Sequence, residues 1–335
     1  MKLFTPAATA CLFIAICAFY FSCSNKDKAI TIKPAAIPTD ILAKLKELGY
    51  STDNVLRAEG GYLVEGDIFM ADGDFKKARK PFALDYAHTE QYRTYNLVTG
   101  LPRTLTVYVD PTLPAVFTAA TDEAIARYNA RALLLTFQRV TTAASIMISG
   151  FFNNATPVLG SSGFPTAAGD PFNQISLNTF YYPANSDQAF LATTIAHEIG
   201  HCIGMRHTDY FDHSISCHVA GADAPSSIGA VYIPGTPSGV ENGSWMLACT
   251  DIGVNRPFTI GDITALNYLY GPPPPCVGEG YAVINGVCEL GYRVNVSSNY
   301  LPAWNEYECI YYFVFSDGSY SQTYSQWDVN PCAID

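Results

Sequence analysis

One eleven-residue stretch constrains this chain more than any other: His197-Glu198-Ile199-Gly200-His201-Cys202-Ile203-Gly204-Met205-Arg206-His207. His197 and His201 are four residues apart, so on an α-helix they lie on one face, one turn above the other. Two imidazoles so placed can share one zinc ion. Glu198 sits beside the first histidine and is wrongly angled to be a third ligand. It can instead reach a water bound to the metal and take its proton. Gly204 can adopt positive φ, so the chain can leave the helix sharply and turn back. Three residues later His207 can close the ligand set from another direction. The fourth position stays open to water, which separates a catalytic zinc site from a structural one. A core helix with incidental histidines would bury Glu198 beside them with no role, which argues against that simpler explanation.

The pattern His-Glu-x-x-His-x-x-Gly-x-x-His resembles the metzincin clan of zinc peptidases. Ser244-Trp245-Met246-Leu247-Ala248-Cys249 resembles the methionine turn that this clan carries beneath the metal. The wording His-Glu-Ile-Gly-His, with Arg206-His207-Thr208-Asp209-Tyr210 after it, is similar to the bacterial dual-action HEIGH metallopeptidases, over residues 40–271. The resemblance implies zinc held by His197, His201 and His207, Glu198 as catalytic base, and Met246 as an apolar floor that is not a ligand. It implies protein or peptide substrates. Astacin-like and serralysin-like relatives carry a tyrosine two residues after the turn methionine. That position is Ala248 here, so a tyrosine-assisted transition state from it is not implied.

The N-terminus reads as an export signal. Lys2 precedes an uncharged, mostly apolar run from Ala7 to Phe21, shorter than a transmembrane helix and suited to a signal peptide over residues 1–22. Tyr20-Phe21-Ser22-Cys23 resembles a bacterial lipoprotein processing site, with lipid on Cys23. The expected location is therefore membrane-anchored at the cell surface or in the periplasm, with release after processing as the other outcome. The net charge of −11 excludes a basic nucleic-acid footprint and makes lipid the only membrane anchor.

A polar tether with Pro34 and Pro38 fills residues 23–38. Residues 39–90 form an N-terminal segment, either an integral element or a removable propeptide. Thr39-Asp40 ahead of Ile41, Leu42, Leu45 and Leu48 marks a capped helix, and Tyr62–Met70 reads as one or two strands. No cysteine lies between Cys23 and Cys202, so a cysteine cannot block the metal from this segment. Asp67, Asp72 and Asp74 offer carboxylates, and read better as solvated turn residues.

Residues 91–271 carry the expected catalytic domain. Strands are expected at Thr104–Val109, Leu133–Val140, Ser145–Phe151 and Gln174–Tyr181, and a helix from Pro114 to Arg131. Asn153–Pro171, rich in Gly, Ser and Pro, reads as loop. Asn185 or Ser186 is expected to cap the zinc helix. Thr259-x-x-Asp262 opens a last helix with a capping box. By resemblance, the strand at Ile146–Phe152 or just after it forms the cleft's upper rim, where a substrate pairs as an added strand. His213 and His218 read as surface or structural histidines.

A proline hinge, 272–275, leads to a Cys- and aromatic-rich module, 276–335. Cys276, Cys288, Cys309 and Cys332 are expected to pair among themselves, with three connectivities open. Cys217 and Cys249 flank one loop and are expected to bridge, while Cys202 reads as a buried thiol. The expected class is α+β: a metzincin-like domain of twisted mixed sheet, zinc helix, methionine turn and C-terminal helix, plus a small disulfide-stapled β-rich module. The expected function is an exported zinc endopeptidase. The alternatives are a surface adhesion lipoprotein using the domain as scaffold, and a zinc hydrolase of non-peptide amides. Calcium is supported by no motif, and the oligomeric state is left open.

Overall fold

The computed structural model describes residues 32–77, 91–217, 230–237, 239, 241–272, 276 and 278–334. The signal peptide, Cys23, most of the tether, His218 and Pro273–Pro275 of the hinge lie outside the described residues. Among the described residues no helix is long and apolar enough to cross a membrane.

The front segment contains β1 (Ile32–Lys33), α1 (Thr39–Glu47), β2 (Leu56–Ala58), β3 (Gly61–Val64), β4 (Ile68–Ala71) and α2 (Asp74–Lys77). Its four strands form one antiparallel sheet in sequence order. The amphipathic face of α1 packs Leu45 against Val55, Tyr62, Val64, Ile68 and Met70. The expected strand at Tyr62–Met70 is two strands. The chain turns between them at Glu65 (φ 53°) and Gly66 (φ 96°). Left-handed backbone is costly at a non-glycine residue, so Glu65 must be held there by its surroundings.

The main body follows with β5 (Tyr92–Arg93), β6 (Arg103–Val109), α3 (Ala115–Asn129), β7 (Leu135–Val140), β8 (Ile146–Phe151), β9 (Gly160–Ser161), β10 (Gln174–Asn178) and α4 (Gln188–Cys202). Five strands form a sheet in the order β7-β6-β8-β10-β9, parallel except for the antiparallel edge strand β9. The core joins Leu105, Val107, Leu135, Ile148 and Leu177 of the sheet to Phe117 and Tyr128 of α3 and to Leu191, Ile195 and Ile199 of α4. Every residue of α4 from Phe190 to Cys202 is buried, as expected of a helix with little polar face. Its cap is Asp187, whose side chain accepts from the Phe190 amide at 2.8 Å, rather than Asn185 or Ser186. Three good capping residues stand in a row here, so local preference could not choose among them.

The chain continues with α5 (Ser214–Cys217), β11 (Val231–Tyr232), which pairs with β5, and α6 (Ile260–Tyr270). The capping box of Thr259 and Asp262 is present. Asp262 is fully buried and also accepts from Gln91 Nε2 at 2.6 Å and Ser244 Oγ at 2.7 Å. That network ties α6 to the turn containing Met246.

The last region has β12 (Tyr281–Ile284), β13 (Val287–Leu290), β14 (Tyr292–Leu301), β15 (Glu306–Val314) and β16 (Tyr324–Asp328). Disulfides Cys276–Cys288 and Cys309–Cys332 staple it, which selects one of the three connectivities. Its aromatics divide. Tyr311, Phe313 and Phe315 form a small core, while Tyr281, Tyr292, Trp304 and Trp327 are exposed.

Candidate metal centre

Helix α4 presents His197 and His201 with ring centroids 4.7 Å apart. The helix stops at Gly204, whose φ of +107° reverses the chain. A Cβ at that position would also lie 2.9 Å from the Asn96 carbonyl oxygen, so only glycine fits. The returning chain pairs beside β5: Thr94 N donates to Gly204 O and Arg206 N to Tyr92 O, both at 2.8 Å. This delivers His207, whose Nε2 lies 3.2 Å from His201 Nε2.

The outer ring nitrogens are fixed. His197 Nδ1 faces Trp245 O at 2.7 Å, and His201 Nδ1 faces Met205 O at 2.9 Å. A carbonyl can only accept, so both Nδ1 atoms carry protons and both Nε2 lone pairs point inward. Met246 is fully buried below. Gly200 makes room for it, since a Cβ there would sit 2.5 Å from Met246 Sδ. Trp245 Nε1 donates to Ala196 O, and Thr208 N to Met246 O, so the methionine turn is stitched to both sides of the motif.

Asp67 joins the three histidines. Its Oδ2 is 3.0 Å from His197 Nε2, and its Oδ1 is 3.2 Å from His207 Nε2 and 3.7 Å from His201 Nε2. Asp67 is buried, against the expectation of a solvated turn. Asp72 and Asp74 are exposed as expected, bonding Arg57 and the Ala71 amide. The difference arises because the β3–β4 hairpin lies across α4, a contact between residues 130 positions apart.

The four donors suit a divalent cation: inward lone pairs, one carboxylate, and all ligand atoms within 4.8 Å of one another. Burial alone lowers the His207 imidazole, but the Asp67 and Glu65 carboxylates outweigh it and raise it to about 10. Burial lowers His201 to about 4, with Asp67 opposing. The Asp67 carboxylate thus faces all three imidazoles, an arrangement that favours positive charge among them.

Glu198 is 1% exposed. Burial, and then the charge of Asp67, push its carboxyl well above the usual range, while a hydrogen bond from Ser162 opposes them. Ser162 Oγ lies 2.7 Å from Glu198 Oε2. Behind His207, Arg206 Nη2 donates to both oxygens of Glu65 at 2.9 Å, with both side chains fully buried. Despite burial, Arg206 holds the Glu65 carboxyl down to about 2. His213 is buried too, its ring 5.5 Å from that of His207. Cys217 and Cys249 are bonded, and Cys202 is a buried free thiol.

A cavity of about 740 Å³ opens beside His197 and Glu198, lined by Val158, Leu159, Thr194, Leu247 and Arg256 among others. The expected rim strand at Ile146–Phe152 is not a free edge: β8 is paired on both sides, and the sheet edge beside α4 is β9. Ser162 N donates to Asp67 O at 3.1 Å, and Phe69 N donates to Ser162 O at 2.6 Å. The front segment therefore meets the rim as a parallel strand at Ile68 and Ser162. Sequence reading missed Glu65 and Ser162, and it named Asp67 as a carboxylate that could reach the metal but favoured a solvated turn. The only local signal for Ser162 is the run Gly160-Ser-Ser-Gly163, which reads as loop.

Two histidines one turn apart on a buried helix, a third after a glycine reversal and a methionine turn beneath them define a metzincin-type zinc metalloendopeptidase. The sequence profile described as dual-action HEIGH metallo-peptidase matches residues 63–270, more than half of the chain, and the chain belongs to that family. No curated protein matches it. Among solved structures, myroilysin is 14% identical, with a TM-score of 0.39, covering 55% of this chain and 100% of its own. High choriolytic enzyme 1, a hatching-enzyme zinc protease of the medaka fish Oryzias latipes, is 15% identical, with a TM-score of 0.32, covering 50% and 88%.

Proposed function

We propose that the protein is an exported endopeptidase that is held latent by its own N-terminal segment and uses Glu198 as catalytic base. A zinc ion held by His197, His201 and His207 would polarise the scissile carbonyl and acidify the attacking water. Glu198 accepts the proton of that water and returns it to the leaving amine. The edge strand β9 offers main-chain groups to a peptide lying along the cleft, and the apolar cavity beside Glu198 receives a side chain. Met246 packs beneath the histidines and touches no substrate.

Latency follows from Asp67. A fourth protein ligand closes a zinc site that catalysis needs open. The same hairpin occupies the main-chain groups of Ser162 that a substrate would use. The single observation supporting the catalytic reading is the convergence of three histidine Nε2 atoms beside a buried glutamate.

Cys23, if lipidated, tethers everything C-terminal to the membrane. A cut that removes the front segment would then activate the enzyme and release it together. The test is Glu198→Gln in the activated form, cut free of the front segment, which is expected to keep one zinc per chain while peptide turnover falls by about 10²–10⁴-fold. A variant within tenfold of the parent rejects the base. An adhesion protein would cleave no peptide in any form, with Glu198 or without it.

A further inference from the structure

We propose that Ser162 is a positioning residue for Glu198, and that Gly160 and Ser162 together form the cradle that fixes its carboxylate. This rests on Glu198 being the base. Alternate residues along a strand share a face, so Gly160 and Ser162 point the same way while Ser161 points the other. The shared face looks at Glu198. A Cβ on Gly160 would lie 2.7 Å from Glu198 Oε1, so the glycine is the space in which that oxygen sits. Ser162 Oγ donates to Oε2 at 2.7 Å and lies 3.0 Å from the Glu198 main-chain oxygen. Ser162 is fully buried, so no solvent competes for its hydroxyl.

A glutamate side chain has three torsions and would otherwise sample several rotamers. The cradle removes that freedom before substrate arrives, by a hydroxyl on one oxygen and a glycine Cα beside the other. Among the described residues the hydrogen bond from the cradle goes to Oε2, which leaves the lone pairs of Oε1 for a proton to be accepted.

The main chain of Ser162 adds a second function. Its N–H and C=O hold whatever strand lies in the cleft, here Asp67 and Phe69. One residue therefore registers both the base and the peptide, and the distance between them is set within a single residue.

The test compares Ser162→Ala, Ser162→Thr and Gly160→Ala with Glu198→Gln, in the peptide-cleaving form of the chain. Zinc content, crystal structures and steady-state kinetics are the readouts. Ser162→Ala is expected to lower kcat by about 10- to 100-fold with KM within about twofold and zinc retained. Its crystal structure should show the Glu198 carboxylate displaced or split between rotamers. Ser162→Thr, which keeps the hydroxyl, should recover most of kcat. Gly160→Ala should act like Ser162→Ala by pushing Oε1 aside. Adding Ser162→Ala to Glu198→Gln should cost nothing more. An unchanged kcat in Ser162→Ala, with Glu198→Gln inactive, overturns the cradle and leaves the base intact. An undisturbed Glu198 rotamer in both Ser162→Ala and Gly160→Ala overturns it as well. Full activity in Glu198→Gln would reject the base itself.

Discussion

The buried pair between Arg206 and Glu65 sets how firmly the front segment is held. Arg206 belongs to the metal motif and Glu65 to the β3–β4 hairpin, so the pair crosses from one to the other. Both side chains are fully buried, and the guanidinium is flanked by the rings of Tyr50 and Tyr210 at 4.5 Å. In Glu65→Ala the guanidinium would keep its charge and lose its carboxylate. An uncompensated buried charge of this kind costs about 3–5 kcal/mol. The cheapest relief is to hydrate Arg206, and lifting the hairpin does that without unfolding the core. The equilibrium between held and lifted hairpin should therefore shift by about two to three and a half powers of ten. Asp67 rides on the same hairpin and would leave the histidines with it. Hydrogen exchange at the amides of Gly61–Ala71 should accelerate by that factor, while α4 stays protected. Peptide turnover by the uncleaved chain should rise in parallel. Glu65→Gln, which keeps the shape and removes the charge, should move both readouts in the same direction. If the hairpin amides remain protected while the melting temperature falls, the segment is an integral part of the fold and the latency argument fails.

His207→Ala should purify with well under one zinc per chain, and full occupancy would remove His207 from the ligand set. Asp262→Ala breaks the bonds to Gln91, Ser244 and the Thr259 amide and should destabilise the fold by about 2–4 kcal/mol in denaturant unfolding. A loss under 1 kcal/mol would mean the network contributes little. Cys23→Ala should move the protein out of the membrane fraction, and retention there would reject the lipid anchor.

The zinc motif was legible because its geometry is local. A spacing of four on a helix puts two side chains on one face wherever the helix sits, and a glycine that must take positive φ marks its end. The same locality made the capping box at Thr259 and Asp262 visible, along with the alternation of β6 and the loop that Cys217 and Cys249 close. Where three equivalent local choices competed, at Asn185, Ser186 and Asp187, the sequence could not rank them.

Only the tertiary structure decided which polar groups lose their water. Asp67, Asp72 and Asp74 are alike in sequence, yet one lies among three histidines and two face solvent. Glu65 stands at a local hairpin turn, yet its carboxylate meets Arg206, 141 positions away. Ser162 looks like one serine in a Gly- and Ser-rich loop until β10 pairs with the strand before it and turns its hydroxyl toward Glu198. Helix and strand periods are written in short windows of sequence. Which carboxylate is desolvated, and beside which cation or hydroxyl, depends on how distant windows pack.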